Sequence, residues 1–395
     1  MSSKTIARRE FLKQNLAATA IAASGLALLE RPSPATAATQ AAAYRGPLSD
    51  FEVNGRQFDS LQFSLRAYES IKPSMGFSAN KEAAARAWQK RLRAKLNELL
   101  GGFPSSRCAL EPRILETKKL DGYTREKVIF QSRPNLSVFG YLLLPEKTSS
   151  PIPAIVCLPG HGRGCDDIVG IAENGQQRES KSGYARDFAI QAVEHGYAAL
   201  AIEQLGFGCR RDDATRKKGA GASSCQPAAG AALLFGQTML GWRVWDVMRS
   251  IDYLSTRPQI DASRVATMGI SGGGTVSLFS AALDERIKVG VVSGYFNTFR
   301  DSIVSLSHCI DNYVPGLLNY IEMYDLAGLV APRALFTESG MRDPIFPIHG
   351  SREAIKKAAN IYSVFGATDR IGHEIFDDEH VFYGKGAFEF LKKML

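Results

Sequence analysis

Residues 264–283, RVATMGISGGGTVSLFSAAL, decide the fold of this chain. Their first part is a largely apolar run that predicts a buried strand, and the small and apolar residues after position 273 predict a helix. Between the two lies the motif G-x-S-x-G, formed by Gly269, Ser271 and Gly273. A serine on such a sharp turn has a strained backbone and projects its hydroxyl above the sheet. Ser271 is therefore the predicted nucleophile, although a chance glycine-rich turn could carry the same letters.

Short apolar segments recur along the chain and predict further strands. They cover residues 114–119, 126–131, 138–144, 154–158, 198–202, 265–270, 289–292 and 334–337. Helical patterns separate several of them, around Gln191 and at residues 242–254 and 387–395. Short buried strands that alternate with helices predict an α/β fold, with a mostly parallel central sheet and helices on both faces. In such a sheet the ligand crevice lies beyond the carboxyl ends of the strands.

The first residues have the pattern of an export signal. Arg8 and Arg9 precede an apolar run at residues 16–29, and residues 35–37 read A-T-A. A basic region, a short apolar region and an A-x-A site predict an export signal over residues 1–37. The arginine pair resembles a twin-arginine signal, while Ala7 keeps the general secretory route open. The run is too short for a stable membrane span, so we expect a periplasmic or secreted protein, with a membrane anchor as the alternative.

Three further segments follow this signal. Residues 38–47 are predicted as a linker, residues 48–110 as a helical extension, and residues 111–395 as the catalytic domain. In the extension, residues 80–100 have apolar residues three and four positions apart, which predicts a helix. Asn80 is its expected N-cap and Gly101 its expected terminator. Its single apolar stripe predicts that it packs on the flank of the main domain.

Charge and cysteines exclude several classes of protein. The chain of 395 residues has a net charge of +8, and five Lys or Arg and two Glu in residues 1–37 leave +5 for the remainder. There is no basic stripe with interleaved aromatic residues, so nucleic-acid binding is not expected. Cys209 and Cys225 flank a loop, and whether they form a disulfide is left open. No Cys or His pair has the spacing of a zinc site, so neither metal nor cofactor is expected.

A nucleophilic serine needs a histidine base and a carboxylate that orients the histidine. For the turn formed here, these groups follow in the order Ser, Asp or Glu, His. Asp343 follows the predicted strand 334–337 and is the preferred acid over Glu338, which is nearer the strand. His380 lies on a loop before the last helix and is the preferred base. His373 falls in a strand pattern and is expected to be hydrogen-bonded locally.

The reaction also needs N–H donors for an oxyanion. Gly272, next to the nucleophile at a helix start, can supply one N–H group. The second is expected from the glycine-rich loop 158–164, most directly from the backbone of His161. His308 and His349 lie outside the positions expected for a base. Trp242, Trp245 and Tyr313 could line a pocket, but the helical spacing of the tryptophans favours the core.

Six stretches together resemble the acetyl xylan esterase and dienelactone hydrolase-like branch of the α/β-hydrolases, over roughly residues 110–395. They are residues 158–164, 202–208 (IEQLGFG), 241–246 (GWRVWD), 269–274, 342–347 (RDPIFP) and 379–384 (EHVFYG). The resemblance implies a carboxylic ester hydrolase whose triad falls on Ser271, Asp343 and His380. Leu205, where many relatives carry arginine, and the long basic loop 209–230 depart from the family pattern.

These observations predict an exported serine esterase that removes a small acyl group, acetyl foremost, from a carbohydrate or similar alcohol. The expected partner is a small-molecule or carbohydrate ester, and the oligomeric state is not specified. One alternative is a serine peptidase of the prolyl oligopeptidase type, which shares the turn and the triad order. Residues 48–110 are too few and too helical for the propeller that such peptidases carry. The other alternative is a catalytically silent binding protein on a hydrolase scaffold.

Overall fold

The computed structural model describes residues 46–48, 50–51, 54–146 and 151–395. The predicted export signal at residues 1–37 and residues 38–45 of the predicted linker lie outside the described residues. Residues 57–395 form one compact unit that contains all the helices and strands described below. Within the described residues, none of the helices is long and apolar enough to cross a bilayer.

Nine strands of the described residues form a single sheet. They are β1 (Arg113–Leu120), β2 (Tyr123–Arg133), β3 (Leu136–Pro145), β4 (Ile152–Leu158), β5 (Ala198–Ile202), β6 (Ile260–Ile270), β7 (Ile287–Ser293), β8 (Ala334–Gly340) and β9 (Ile371–Phe376). Their spatial order is β1-β2-β3-β5-β4-β6-β7-β8-β9. The pairings of β1 with β2, β2 with β3 and β3 with β5 are antiparallel. The six strands β5, β4, β6, β7, β8 and β9, in this spatial order, pair parallel. The predicted α/β fold with a mostly parallel sheet is therefore confirmed.

Ten helices accompany the sheet in the described part of the chain. They are α1 (Ser60–Ser70), α2 (Glu82–Leu99), α3 (Phe188–Glu194), α4 (Asp213–Arg216), α5 (Cys225–Leu234), α6 (Met239–Leu254), α7 (Gly272–Leu283), α8 (Met323–Val330), α9 (Ile348–Val364) and α10 (Lys385–Met394). All the strands and helices predicted above are present, with ends shifted by a few residues.

The central strands are apolar at almost every position because helices cover both faces of the sheet. In β4, Ala154, Val156 and Leu158 pack into a cluster with residues of α2, α6 and α7. The alternate residues Ile155 and Cys157 pack into a second cluster with α3 and α10. Successive side chains of a strand point to opposite faces, so one short apolar segment serves both cores.

The N-terminal helix α2 packs on the main domain as its single stripe predicts. Trp88 donates from Nε1 to the carbonyl of Met75 at 2.6 Å, and Gln89 donates to the carbonyl of Gly328 in α8 at 2.6 Å. The predicted N-cap, Asn80, is wrong because the helix begins at Glu82 and Lys81 occupies the cap position without a side-chain hydrogen bond. Gly101 follows the helix end with φ +90°, as a terminating glycine does.

Strand β1 forms one edge of the sheet and pairs only with β2 among the described strands. Seven of its eight residues are exposed. It carries Arg113, Glu116, Lys118 and Lys119. Its outer backbone groups are therefore flanked by charged side chains.

Candidate active site

Ser271 lies between β6 and α7, at the carboxyl end of a central strand. Its backbone has φ 57° and ψ −124°, a region that L-residues rarely occupy and that is typical of strained functional positions. A Cβ at Gly269 would collide with the carbonyl of Gly273, and a Cβ at Gly273 would collide with the carbonyl of Leu158. The two glycines are thus needed for the close passage of strand, turn and helix that raises the serine above the sheet.

Asp343 lies in the turn after β8, and its side chain is 1% exposed. One carboxylate oxygen, Oδ1, accepts the backbone N–H groups of Ile345 at 2.9 Å and Phe346 at 3.0 Å. The other oxygen, Oδ2, lies 2.7 Å from Nδ1 of His380. The turn itself therefore fixes the carboxylate, so that its second oxygen faces the imidazole.

His380 lies on the loop between β9 and α10. Because an aspartate oxygen accepts from Nδ1, that nitrogen carries the proton and Nε2 keeps a free lone pair in the neutral ring. Nε2 is buried and has no hydrogen-bond partner within the described residues. The ring lies nearly parallel to the rings of Tyr184, at 6.0 Å, and Phe346, at 5.7 Å. We call Asp343 and His380, with the strand ends that carry them, the acid arm.

The acid arm and Ser271 meet in one pocket of about 380 Å³. The lining residues are His161, Tyr184, Ser271, Gly272, Ser307, His308, Cys309, Asn312, Ile345, Phe346 and His380. Ser271 makes no hydrogen bond to Nε2 of His380 in this structure. Such bonds are often long in an enzyme without substrate and shorten in the reacting complex. In this described lining there is no Lys, Arg, Asp or Glu, so the pocket suits a neutral group.

Glu338, the competing acid, lies inside β8 because the strand continues to Gly340. Its buried carboxylate accepts the backbone N–H groups of Tyr383 at 2.8 Å and Gly384 at 2.9 Å. Burial raises the pKa of Glu338 above its usual value. Glu338 therefore holds the loop that follows His380, and Asp343 is the carboxylate against the imidazole.

The other histidines have different surroundings. His373 lies in β9, where Nδ1 is 2.6 Å from the hydroxyl of Thr337, as expected for a strand residue bonded locally. Exposed His349 lies outside the pocket lining and has Nε2 3.6 Å from Asp301. His308 lines the pocket although its sequence position gave no reason to expect this. Burial lowers the pKa of His308, which favours its neutral form.

The loop 158–164, here called the oxyanion loop, contributes His161 to the lining of the same pocket. Tyr184 donates its hydroxyl to the carbonyl of His161 at 2.6 Å, and Gln204 donates to the carbonyl of Pro159. Burial raises the pKa of Tyr184, so its hydroxyl stays a donor. The peptide that carries the N–H of His161 lies between these two anchored peptides. The N–H of Gly272 opens α7, where the first N–H groups have no partner inside the helix.

The imidazole of His161 extends away from the backbone into a polar cluster. Its Nε2 lies 3.7 Å from Sγ of Cys225 and 3.6 Å from Oδ2 of Asp311. Cys309 completes the group, with all four ligand-type atoms within 4.8 Å of one another. A hydrogen bond from Cys309, another from His161 and the charge of Arg243 lower the pKa of the Cys225 thiol. We call these four residues the His161 cluster.

Local spacing in the sequence could not reveal this cluster because its members come from positions 161, 225, 309 and 311. The disulfide left open between Cys209 and Cys225 is absent, since all six cysteines lie in described residues and are free. Cys209 is exposed, whereas Cys225 is buried in the cluster.

The aromatic candidates for the pocket lie elsewhere. Trp245 is buried and donates from Nε1 to the carbonyl of Ser132 at 2.7 Å, which agrees with the core position favoured by its spacing. Trp242 is half-buried and donates to Gln237 at 2.5 Å. Tyr313 is 41% exposed and donates its hydroxyl to the carbonyl of Ile303. The pocket lining includes none of these three residues among those described.

Comparisons with known proteins agree with this architecture. The sequence profile of the Abhydrolase family matches residues 40–361. The chain belongs to this family and is a hydrolase of the α/β-hydrolase type.

Its relatives are distant in sequence. A Bacillus subtilis (strain 168) protein described as "Putative hydrolase YtaP" is 27% identical over 289 residues, which cover 70% of this chain and 89% of that protein. A structure described as a "putative acetyl xylan esterase" from Bacteroides fragilis NCTC 9343 has a TM-score of 0.70 at 20% identity, covering 87% of this chain and 92% of that one. A glucuronoyl esterase from Solibacter usitatus has a TM-score of 0.60 at 16% identity, covering 82% and 98%. At these identities the solved structures share the fold.

Proposed function

We propose that the protein is a serine esterase that removes a small neutral acyl group, acetyl foremost, from a carbohydrate or a similar alcohol. The observation that carries the proposal is the Asp343–His380 pair, whose unpartnered Nε2 lies in the same pocket as Ser271. A strained serine, an oriented imidazole and a buried carboxylate are the groups that acyl transfer through an acyl-enzyme requires.

The reaction begins when Oγ of Ser271 attacks the ester carbonyl and its proton passes to Nε2 of His380. Asp343 stabilises the positive imidazolium that forms. The N–H groups of Gly272 and His161 would donate to the oxyanion, each lowering the barrier by roughly 3 to 4 kcal/mol. His380 then gives its proton to the leaving alkoxide. Water repeats the sequence on the acyl-enzyme and releases the acid, so this reaction needs no cofactor.

The lining of the pocket bears on the proposed substrate class. The pocket lining is free of charged Lys, Arg, Asp and Glu side chains in the described residues, and a buried ionised group without a partner is costly. The acyl part of an acetyl ester and an esterified uronic carboxyl group are both neutral, so this lining accepts either and disfavours a substrate with a free charge at the reacting group. The solved relatives include a protein described as a "putative acetyl xylan esterase" and glucuronoyl esterases, and the sequence stretches that resemble the acetyl xylan esterase branch favour the former chemistry.

The experiment compares wild-type protein with Ser271→Ala and with the control Ser263→Ala, an exposed serine in the same strand. Acetate and methanol release are measured separately from acetylated xylan and from a methyl glucuronate ester. We expect acetate release by wild type and by Ser263→Ala, and a loss of about 10⁴-fold or more in kcat for Ser271→Ala. A fluorophosphonate probe should label Ser271 of the wild type, as shown by peptide mass spectrometry.

Unchanged esterase activity in Ser271→Ala would refute the proposal. Faster cleavage of a peptide than of acetylated xylan would favour the peptidase alternative. An inactive, unlabelled wild type would favour a binding protein on the same scaffold.

We also propose that the protein is exported, on the basis of the basic, apolar and A-x-A segments in residues 1–37. Cell fractionation and N-terminal sequencing of the full-length product test this. The expected product begins near residue 38 and is found outside the cytoplasm, and an uncleaved product in the cytoplasm would contradict it.

A further inference from the structure

The His161 cluster gathers donors that are individually common ligands of zinc. It contains two thiols, one imidazole and one carboxylate, from residues far apart in the chain. Cys225 begins helix α5, Cys309 and Asp311 belong to a short turn, and His161 lies on the oxyanion loop. Zinc binds all three of these donor types, and its structural sites have four protein ligands and no open position.

Three of the six distances between ligand atoms in the cluster match a tetrahedron. With bonds of about 2.0 to 2.3 Å to the metal, ligand atoms in a tetrahedral zinc site lie about 3.3 to 3.8 Å apart. Nε2 of His161 lies 3.7 Å from Sγ of Cys225 and 3.6 Å from Oδ2 of Asp311. Sγ of Cys225 lies 3.5 Å from the same oxygen. Three edges of the polyhedron therefore have the required length.

The charge around the cluster is also balanced for a divalent cation. Two thiolates and one carboxylate carry three negative charges, and a divalent ion would leave one. Arg243, whose side chain is 2% exposed, supplies the remaining positive charge. It donates to Oδ2 of Asp311 at 2.5 Å and from Nη2 to Sγ of Cys225 at 3.4 Å. A carboxylate oxygen has room for both an arginine hydrogen bond and a metal.

Arg243 is itself held rigidly, as outer partners of metal ligands usually are. Its Nε and Nη2 both donate to the carbonyl of Leu205, at 3.0 and 2.8 Å. The guanidinium carbon lies 4.4 Å from the centre of the Phe207 ring. The ring of His161 packs edge-on against the same phenylalanine at 4.7 Å. The ligand His161 and the outer partner Arg243 thus both pack against the ring of Phe207.

We propose that His161, Cys225, Cys309 and Asp311 bind one zinc ion, which ties the oxyanion loop to α5 and to the turn at 309–311. The ion is structural, because protein atoms fill all four of its coordination positions and leave none open for a substrate. It holds His161 through the side chain, and the same residue lines the pocket that contains Ser271. This inference does not depend on the proposed esterase activity.

The first experiment measures metal binding by the full chain. Reduced protein freed of metal with a chelator is titrated with Zn²⁺ alone and, in parallel, with Co²⁺. We expect one ion per chain and an intense sulfur-to-cobalt charge-transfer band from two thiolates. Cys309→Ser should weaken Zn²⁺ binding by at least about 100-fold, because loss of an outer partner alone costs about 10- to 100-fold. The matched control Cys108→Ser, a thiol outside the cluster, should bind as the wild type does.

The second experiment needs no variant, so misfolding cannot obscure it. Native wild-type protein is alkylated with iodoacetamide with and without Zn²⁺, and each cysteine is followed by peptide mass spectrometry. Zn²⁺ should slow modification of Cys309, the partly exposed thiol of the cluster, about tenfold or more, because metal-bound thiolates are withheld from the reagent, while exposed Cys209 serves as the internal control. Absence of stoichiometric Zn²⁺ binding, a cobalt spectrum without a thiolate band, or equal alkylation in both conditions would each overturn the site.

Discussion

The acid arm and the oxyanion loop reach the same pocket but are held in place by different means. Asp343 is fixed by two N–H groups of its own turn and contacts a single imidazole. The oxyanion loop is held by side chains from distant segments, among them Tyr184, Gln204 and the His161 cluster. The acid arm therefore depends on one irreplaceable contact, whereas the position of the oxyanion loop depends on several smaller ones.

The strongest test of this difference is Asp343→Asn in the acid arm. The amide keeps the shape of the side chain but favours the wrong imidazole tautomer, so kcat/KM for acetyl ester hydrolysis should fall by about 10⁴-fold. The rate of 4-nitrophenyl acetate hydrolysis by the two proteins measures this loss. Glu338→Gln, the matched change in β8, should leave a far larger share of the activity. Near-normal activity of Asp343→Asn would show that the acid arm does not depend on the contact between Asp343 and His380.

A second test concerns the stability of the strands that carry the acid arm. Burial lowers the pKa of His373 in β9 from 6.5 to about 4, so the folded state keeps the imidazole neutral where the unfolded chain binds a proton. Its stabilising contribution is complete above pH 6.5 and is lost as the pH falls from 6.5 to about 4. The loss is at most about 3 kcal/mol.

Urea unfolding at neutral and acidic pH measures this loss. His373→Gln should reduce the difference between the two free energies of unfolding. The control His349→Gln alters an exposed side chain and should leave it unchanged. If the wild type and His373→Gln showed the same pH dependence, the loss of stability at acidic pH would not come from His373.

The smallest expected effect comes from Tyr184, which contacts both regions. Tyr184→Phe keeps the ring beside His380 but removes the hydrogen bond to the carbonyl of His161. The loss should be about 1 kcal/mol, or roughly fivefold in kcat, with KM little changed. Steady-state kinetics on an acetyl ester separate the two parameters. Tyr184→Leu, which removes the ring as well, should cost more, and an equal effect of both variants would show that the hydroxyl alone matters.

The sequence predicted the fold well because its information is local. The apolar runs at residues 154–158 and 265–270 have the length and pattern of buried parallel strands, and G-x-S-x-G marks the turn between β6 and α7. Asp343 and His380 could be chosen because each follows a strand end, where the crevice of such a sheet must lie. Their chemical roles stay predictions until the variants are measured.

The remaining part of the site depends on long-range packing. His308 reaches the pocket from a segment without regular strand or helix pattern, so no periodicity indicated its place. The His161 cluster joins four positions that have no common spacing, and a search for local metal motifs could not detect it. The N-cap at Asn80 was wrong for a smaller reason: the chain turns into α2 two residues later, at Glu82.

The exposed edge strand β1 has a consequence for how copies of this protein meet. An open sheet edge offers unpaired backbone groups to any other strand, and charged side chains make such pairing unfavourable. Lys118 and Lys119 would oppose the same residues of a second copy in an antiparallel approach. Neutralising this row would therefore favour edge-to-edge pairing between the sheets of different copies and their aggregation, without changing any residue of the pocket.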